Sequence, residues 1–270
     1  MRRELFFVVI MLLLAPLASN AQDWWEDDFD DYPPIVLELN AWMSEVDGTI
    51  KWGGMGVEGT DIDFQEDLGL DAETVNPYVR LNIGMSERWD LRLSFWHTKH
   101  DETSPLPRTQ SFGGITFNSG VETETTFSMD SYSVMLGYKF IDGEQIDFTV
   151  LLGGGAYRVE MEMENALGAL SEQTALIPTP LVGVAMNIDL SESLAIRAQV
   201  TGMGLSVSDA SGEAFDAEAA ITWTFYEGLY ITGGYKLFRT DVEFDTDVDD
   251  VVDAGDFEIK GPFFGLGLVF

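Results

Sequence analysis

Apolar and polar side chains alternate along most of this chain, in segments that are separated by turn-forming residues. Side chains of an extended strand point alternately to opposite faces, so each segment predicts a strand with one apolar and one polar face. In one segment, Val182 and Val184 face one way while Gly183 and Asn187 face the other. Ten segments show this pattern, at residues 35–46, 77–85, 90–100, 127–140, 146–160, 177–190, 194–206, 214–226, 229–242 and 257–270.

The connections between these segments are alternately short and long. Short turns are predicted at 86–88, 142–144, 191–193 and 227–228, and longer connections at 47–76, 101–126, 161–176, 207–213 and 243–256. This alternation predicts an all-β fold, a transmembrane antiparallel up-and-down β-barrel of about ten strands with all short turns at one end. The connection 47–76 could hold a further hairpin, so eight to twelve strands remain open. Three glycines at 153–155 predict a bulge or a sharp bend in the fifth strand.

Composition narrows the class of protein further. The formal net charge is −33, cysteine is absent, and 46% of the residues are hydrophobic. The acidic charge excludes nucleic acid as a partner, and the lack of cysteine excludes disulfides and thiol chemistry. The hydrophobic content is too high for a disordered acidic chain, yet no segment after residue 21 is long and apolar enough for a membrane-spanning helix. Apolar residues spread over alternating strands are typical of a transmembrane barrel.

The last strand carries the most specific pattern. Phe264, Leu266, Leu268 and Phe270 share one face, with small glycines between them. This arrangement resembles the C-terminal strand of bacterial outer-membrane β-barrels, in which it acts as an assembly signal. The resemblance implies the outer membrane of a Gram-negative bacterium, with the barrel assembly machinery, membrane lipid and lipopolysaccharide as partners. The segment 59–71 is similar to a stretch of many small outer-membrane barrels, the OmpA-like and opacity-like porin-related group, and it assigns no activity.

The N-terminal segment predicts export. Arg2 and Arg3 precede an apolar run of residues 5–17, and small residues at 19 and 21 mark a cleavage site. Residues 1–21 are therefore predicted to be a signal peptide, 22–34 an acidic periplasmic tail, and 35–270 the barrel domain. With short turns on the periplasmic side, both termini of the barrel are expected to be periplasmic.

Charged residues on the polar faces of the strands define the predicted lumen. A barrel of this size has an interior that side chains can nearly fill. We therefore expect a polar, largely plugged lumen and a structural or interaction role, with a narrow porin-like channel for small solutes as the alternative. The predicted lumen charges are Arg80, Arg92, Lys139, Arg197, Lys236, Lys260, Glu38, Asp147, Asp189, Glu218 and Glu258.

Two segments carry candidate chemistry. His97 and His100 lie where the third strand leaves the membrane, and a histidine beside an acid could act as a general base. They point to opposite faces, so no catalytic residue is assigned, and a barrel enzyme acting on lipid or peptide at the outer rim is a second alternative. Alternating carboxylates in the last long loop predict weak Ca²⁺ or Mg²⁺ binding, without another cofactor. Those ligands are Asp245, Asp247, Asp249, Asp253 and Asp256.

Overall fold

A computed structural model describes residues 34–54, 56–143, 145–207, 210–246 and 251–270. The N-terminal segments predicted above lie outside these residues, apart from Pro34. The strands are β1 (Ile35–Lys51), β2 (Ile62–Asp63), β3 (Thr74–Gly84), β4 (Trp89–Pro105), β5 (Gln110–Phe112), β6 (Ile115–Phe117), β7 (Glu122–Asp142), β8 (Ile146–Asn165), β9 (Leu170–Ser191), β10 (Leu194–Val207), β11 (Ala210–Tyr226), β12 (Leu229–Thr246) and β13 (Val251–Val269).

Ten long strands form one closed antiparallel barrel, as the sequence predicts. Each long strand pairs with its neighbours in the chain, and β13 pairs with β1 from Val36↔Val269 onward to close the cylinder. The connection 52–73 does contain a short strand, because Ile62 of β2 pairs with Ile50 of β1. Neither β2 nor the β5–β6 hairpin joins the wall as a full strand, so the barrel strands number ten.

The barrel has two distinct ends. Ile35, Phe270 and the short turns lie at one end, which we call the terminal end, and the longer connections lie at the other, the loop end. At the terminal end, the predicted strand limits agree closely with the strand limits in the structure. At the loop end the strands are longer than predicted: β9 begins at Leu170 instead of residue 177, and β13 begins at Val251 instead of residue 257.

The longer strands follow from an exchange of their apolar and polar faces. On β8 near the terminal end, outward-facing Val150 and Leu152 are exposed. Toward the loop end the outward positions hold charged residues, among them Glu162, while inward-facing Met161 and Met163 are fully buried. The alternation continues without a break, but the apolar side moves from the outside of the barrel to the inside. The loop end therefore has a hydrophobic core of its own and a water-compatible exterior.

Of the bulge or sharp bend predicted at 153–155, the bulge is wrong, because β8 pairs continuously through these glycines with both β7 and β9. The small size of these glycines allows β8 to lie close to β7. A Cβ atom on Gly153 would lie 2.1 Å from the carbonyl oxygen of Val134, and one on Gly155 would lie 2.3 Å from that of Tyr132.

An apolar band surrounds the outside of the barrel near the terminal end. A continuous exposed apolar surface of this kind is expected where a barrel faces lipid. Within the described part of the chain, no helix is long and apolar enough to span a membrane. The band includes Tyr132, Val134, Leu136, Val150, Leu152, Val182, Val184, Ile221, Trp223, Phe264 and Leu266.

The two faces of β9 should respond differently to charge. Val184 is exposed in the apolar band, whereas Asn187 lines a polar cavity inside the barrel. We expect Val184→Arg to destabilise the barrel by about 2–4 kcal/mol, the cost of a charge in the middle of the lipid-facing band. Asn187→Arg should have a smaller effect, since charged groups already surround it. Urea unfolding in lipid vesicles measures both variants, and equal losses would contradict the assignment of faces.

Candidate functional site

A network of buried charges crosses the lumen. Arg80 of β3 donates a hydrogen bond to Glu218 of β11, on the far side of the barrel, and its guanidinium lies 3.7 Å from Glu38 of β1. Arg197 of β10 donates two hydrogen bonds to Glu38, one of them 2.7 Å long. Glu38, Arg80 and Glu218 are each at most 6% exposed. We call these four residues the ionic layer.

Two tyrosines complete the hydrogen bonding of the ionic layer. The hydroxyl of Tyr78 donates to Glu218, and that of Tyr230 donates to Glu38 at 2.6 Å. Each buried carboxylate thus accepts from a guanidinium and from a phenol. Burial of a charge is costly unless it is paired and hydrogen-bonded, and both conditions are met here.

Lys236 connects the ionic layer to an aromatic region above it. Its ammonium group donates to both carboxylate oxygens of Asp216 at 2.5 Å. It also lies 5.0 Å from the ring centre of Tyr78 and 5.8 Å from those of Trp42 and Trp96. A cation this close to three aromatic rings is stabilised by their electron-rich faces.

Aromatic side chains fill the lumen on the loop side of Lys236. The ring centres of Trp42 and Trp96 are 5.4 Å apart, and Trp96 lies 5.3 Å from Phe238. Phe238 in turn lies 4.9 Å from Tyr157. Trp42, Trp96 and Phe238 are at most 1% exposed. We call these residues the aromatic layer, and it occupies the lumen between strands on opposite sides of the barrel.

A polar cavity of about 330 Å³ lies on the terminal side of the ionic layer. Arg92, Lys139 and Asp147 line it, and Arg92 binds Asp90 at 2.7 Å and Gln199 at 3.2 Å. The cavity ends at Arg80, Arg197 and Glu218, which also belong to its lining. It is therefore a pocket bounded by the ionic layer.

Most of the predicted lumen charges lie in this interior. The structure places Arg80, Arg92, Lys139, Arg197, Lys236, Glu38, Asp147 and Glu218 there.

The other three predicted lumen charges differ in position. Asp189 has the inward parity of Asn187 and lies at the terminal mouth of the lumen, where it is exposed and accepts a hydrogen bond from Asn187 at 2.9 Å. Glu258 and Lys260 lie on the outer face of β13, so their placement in the lumen is wrong. They share the parity of exposed Phe264, while Ile259 between them is fully buried. Lys260 binds Glu258 and lies 3.8 Å from Glu45 on the outer face.

Two loops close the loop end, the first at 52–73 and the second at 106–121, and the alternation of strands did not predict this closure. Phe64 from the first loop packs 4.7 Å from Phe127 and 5.8 Å from Phe257, measured between ring centres. The second loop contributes Phe112 and Phe117, which are fully buried. The apolar residues within these two loops were the sequence feature that could have predicted their burial. Buried apolar side chains of the two loops are Ile62, Phe64, Leu68, Leu70, Leu106, Phe112 and Phe117.

An ion pair joins the two loops. Arg108 donates to both carboxylate oxygens of Asp67, at 2.9 and 2.5 Å, and also to the carbonyl of Asp61 at 2.9 Å. Burial acts to raise the pKa of Asp67, but the hydrogen bonds from Arg108 and from the backbone of Asp63 outweigh it and lower that pKa. We call this pair the loop clasp.

The two histidines do not share a site. His97 faces outward, and its Nδ1 lies 2.8 Å from Asp130 Oδ1. His100 is buried, with Nε2 2.9 Å from Thr98 Oγ1 and Nδ1 3.3 Å from the carbonyl of Ala72. Only His97 therefore has a carboxylate partner of the kind that could orient a general base.

The predicted cation ligands lie mostly outside the described structure. The structure does not describe Asp247 and Asp249, and it does not describe the side chains of Asp245 and Asp253. Asp256 is exposed on the outer face, 3.6 Å from Arg239. Within the described ranges, no three histidine or acidic side chains are close enough together to hold a metal ion.

Comparison with known proteins identifies the fold. No protein-family model matches this chain, and no curated protein sequence matches it. Among solved structures, the outer membrane protease OmpT from Escherichia coli covers 88% of this chain and 97% of its own, with 7% identity and a TM-score of 0.56. The chain has the fold of the bacterial outer-membrane β-barrels.

Other outer-membrane barrels also match. The translocator domain of the autotransporter NalP from Neisseria meningitidis covers 97% of this chain and 98% of its own, with 12% identity and a TM-score of 0.47. Ail, the attachment invasion locus protein of Yersinia pestis, covers 88% and 99%, with 10% identity and a TM-score of 0.41. At these identities the likeness concerns the fold alone.

Removal of one member of the ionic layer should strongly destabilise this barrel. Arg80→Met leaves Glu218 and Glu38 buried with fewer partners, so we expect a loss of about 3–5 kcal/mol in the free energy of unfolding. Lys260→Met removes a charge from the outer face and should cost far less, because such pairs are screened by water. Urea unfolding in vesicles compares the two, and similar losses would show that the ionic layer does not stabilise the fold.

The loop clasp should respond to pH in a defined direction. Since the pKa of Asp67 is lowered on folding, its contribution is present at neutral pH and is lost as the pH falls through that lowered value, below about 4. At neutral pH, Asp67→Asn should imitate this loss and speed hydrogen exchange of the two loops. Glu160→Gln, which removes a charge paired with Arg158 on the outer face, is the control. Unchanged exchange in Asp67→Asn would contradict a role for the clasp in closing the barrel.

Proposed function

We propose that this protein is an outer-membrane barrel with a structural or interaction role, whose lumen is closed to the passage of solutes. The observation that carries the proposal is the sequence of side-chain layers across the lumen. The ionic layer bounds the polar cavity, the aromatic layer fills the next level, and the two loops close the loop end. These features favour a closed barrel over the narrow porin-like channel.

The energetics of the layers support closure. A solute moving along the axis would have to separate Arg80 from Glu218 and Arg197 from Glu38, which leaves buried charges without partners. It would then have to displace Trp42 and Trp96, whose rings pack edge to face. A lumen of ten strands leaves little room for side chains to move aside.

The interaction role is supported by the charge of the barrel exterior at the loop end. We place this end outside the cell, with both termini in the periplasm, because outer-membrane barrels carry their long connections outside. Carboxylates such as Glu162, Glu164 and Glu172 then point into water above the apolar band. In that position they would bind the phosphates of lipopolysaccharide through bridging Mg²⁺ or Ca²⁺. In the last strand, Phe264 and Leu266 would face the lipid, and this strand would be the one that the assembly machinery binds.

Conductance in planar bilayers tests closure of the lumen. We expect the wild-type barrel to insert without steady conductance. A variant with Arg80→Ser, Glu218→Ser, Trp42→Ala and Trp96→Ala removes one ion pair completely and two large rings. Because the Arg197–Glu38 pair and the two loops remain, we expect brief conductance events that the wild type lacks. Glu258→Ser with Lys260→Ser, on the outer face, is the matched control and should stay closed. Steady ohmic conductance of the wild type would support the porin-like channel instead.

One observation favours the second alternative, a barrel enzyme at the outer rim. The pair of His97 and Asp130, 2.8 Å apart on the outer face, supplies a base with an orienting carboxylate. Hydrolase assays with lipid and peptide substrates test this alternative. Activity that is lost in His97→Ala but retained in a Thr98→Ser control would support it, and wild-type protein without activity would contradict it.

A further inference from the structure

The polar cavity is a blind pocket that opens at the terminal end of the barrel. Inward-facing side chains of β11 become more accessible toward that end: Glu218 is buried, Thr222 is half-buried and Thr224 is exposed, and all three line the cavity. The ionic layer closes the other end of the cavity. A solute would therefore enter from the terminal side, which the orientation proposed above places in the periplasm.

Charged side chains on one wall of the cavity have hydrogen-bonding capacity to spare. Arg92 donates from Nε and Nη2 to Asp90 and from Nη1 to Gln199, so two of its five N–H groups have no partner among the described residues. The ammonium group of Lys139 is 3.8 Å from the carboxylate of Asp147, too far for a hydrogen bond. The side chains of Lys139 and Asp147 are 29% and 24% exposed, and both line the cavity.

Cationic and anionic groups are equal in number in this lining and directly behind it. A ligand with a single charge would bring an unpaired charge into a pocket with a closed floor, whereas a zwitterion brings no net charge. The barrel wall around the pocket has a low dielectric constant, which strengthens attraction between charges inside it. The cations are Arg80, Arg92, Lys139 and Arg197, and the anions are Asp90, Asp147, Glu218 and, behind the floor, Glu38.

The wall opposite the charged one is apolar. Val36 of β1 and Val269 of β13 are paired in register, and both line the cavity. Four strands separate β13 from β8, which carries Asp147, in either direction around the barrel. The two valines therefore lie across the pocket from Asp147. A ligand that fits both walls has a zwitterionic head and a small apolar tail.

We propose that the polar cavity binds an α-amino acid with an apolar side chain. Arg92 and Lys139 donate hydrogen bonds to the carboxylate of the ligand, and Asp147 accepts from its ammonium group. Val36 and Val269 contact its side chain. The cavity volume of about 330 Å³ lies at the lower end of the range for small-molecule sites, which suits a ligand of this size. This inference goes beyond the structural role proposed above, and it needs no passage through the lumen, so its test is independent of conductance.

Isothermal titration calorimetry with L-leucine tests the proposal on the barrel in detergent micelles. We expect saturable binding of L-leucine by the wild type. 4-Methylpentanoate lacks only the ammonium group and 3-methylbutylamine lacks only the carboxylate, so each should bind about tenfold more weakly or worse. Glycine, without the apolar tail, should also bind more weakly. Absence of saturable L-leucine binding, or equal binding of either singly charged analogue, would overturn the proposal.

Matched variants test whether the ligand occupies this cavity. Asp147→Asn keeps the shape of the side chain and removes the charge that binds the ammonium group, so L-leucine should bind about tenfold more weakly. Asp189→Asn is the control, because Asp189 is exposed at the terminal mouth and does not line the cavity. Ala185→Leu fills part of the cavity and should abolish binding, whereas Ala219→Leu adds the same volume on the outer face.

Both controls should bind L-leucine like the wild type. Unchanged affinity in either Asp147→Asn or Ala185→Leu would overturn the assignment of the ligand to the polar cavity. The comparison of analogues uses the wild-type protein alone, so it decides the zwitterionic character of the ligand even if a variant fails to fold.

Discussion

The exchange of strand faces along the barrel is the constraint on which the rest of this structure depends. In the apolar band, lipid can satisfy no backbone group, so every strand must pair on both sides and present apolar side chains outward. Above the band the same strands meet water, and their apolar side chains turn to the interior. Val150 on the outside and Met161 on the inside of β8 mark the two regimes. Only in the second regime can a wall tolerate an early end of strand pairing, such as that between β9 and β10 at Val182↔Gly202.

The ionic layer lies where the two regimes meet. On its terminal side the lumen is a polar cavity, and on its loop side it is a hydrophobic core. Lys236 joins the two, since its ammonium group binds Asp216 while three aromatic rings surround it. Charges and rings therefore form successive levels of one packed interior, and the apolar core keeps water away from the charges below it.

Local alternation was enough to predict the ten strands, the short turns and most of the lumen charges. Phe264 and Val184 face outward because their immediate neighbours in sequence fix their parity. The same rule places Lys260 outside, and its assignment to the lumen failed because charge was given more weight than parity. The loop-side core was missed because Met161 and Met163 continue the inward series of β8 with a change only in polarity.

Contacts across the lumen could not be predicted in the same way. The partner of Arg80 depends on the circumference of the barrel and on the height of each strand, and neither quantity is visible in a local pattern. Tyr78, Tyr230 and the loop clasp were missed for this reason. The early end of pairing between β9 and β10, at Val182↔Gly202, did leave a signal in Pro178 and Pro180, but its meaning depends on which neighbouring strand each edge of β9 faces.

The separation of the ionic partners along the chain has a consequence for how the barrel forms. Arg80 and Glu218 are 138 residues apart, and Arg197 and Glu38 are 159 residues apart. Contacts of such high sequence separation form late, because the entropy of closing a long loop must be overcome first. Closure of β13 on β1 and burial of the ionic layer are thus both expected late in folding, and an incompletely closed barrel would have a hydrated interior. On this argument assembly and sealing are coupled, and a partly folded molecule is expected to leak until its last strand is in place.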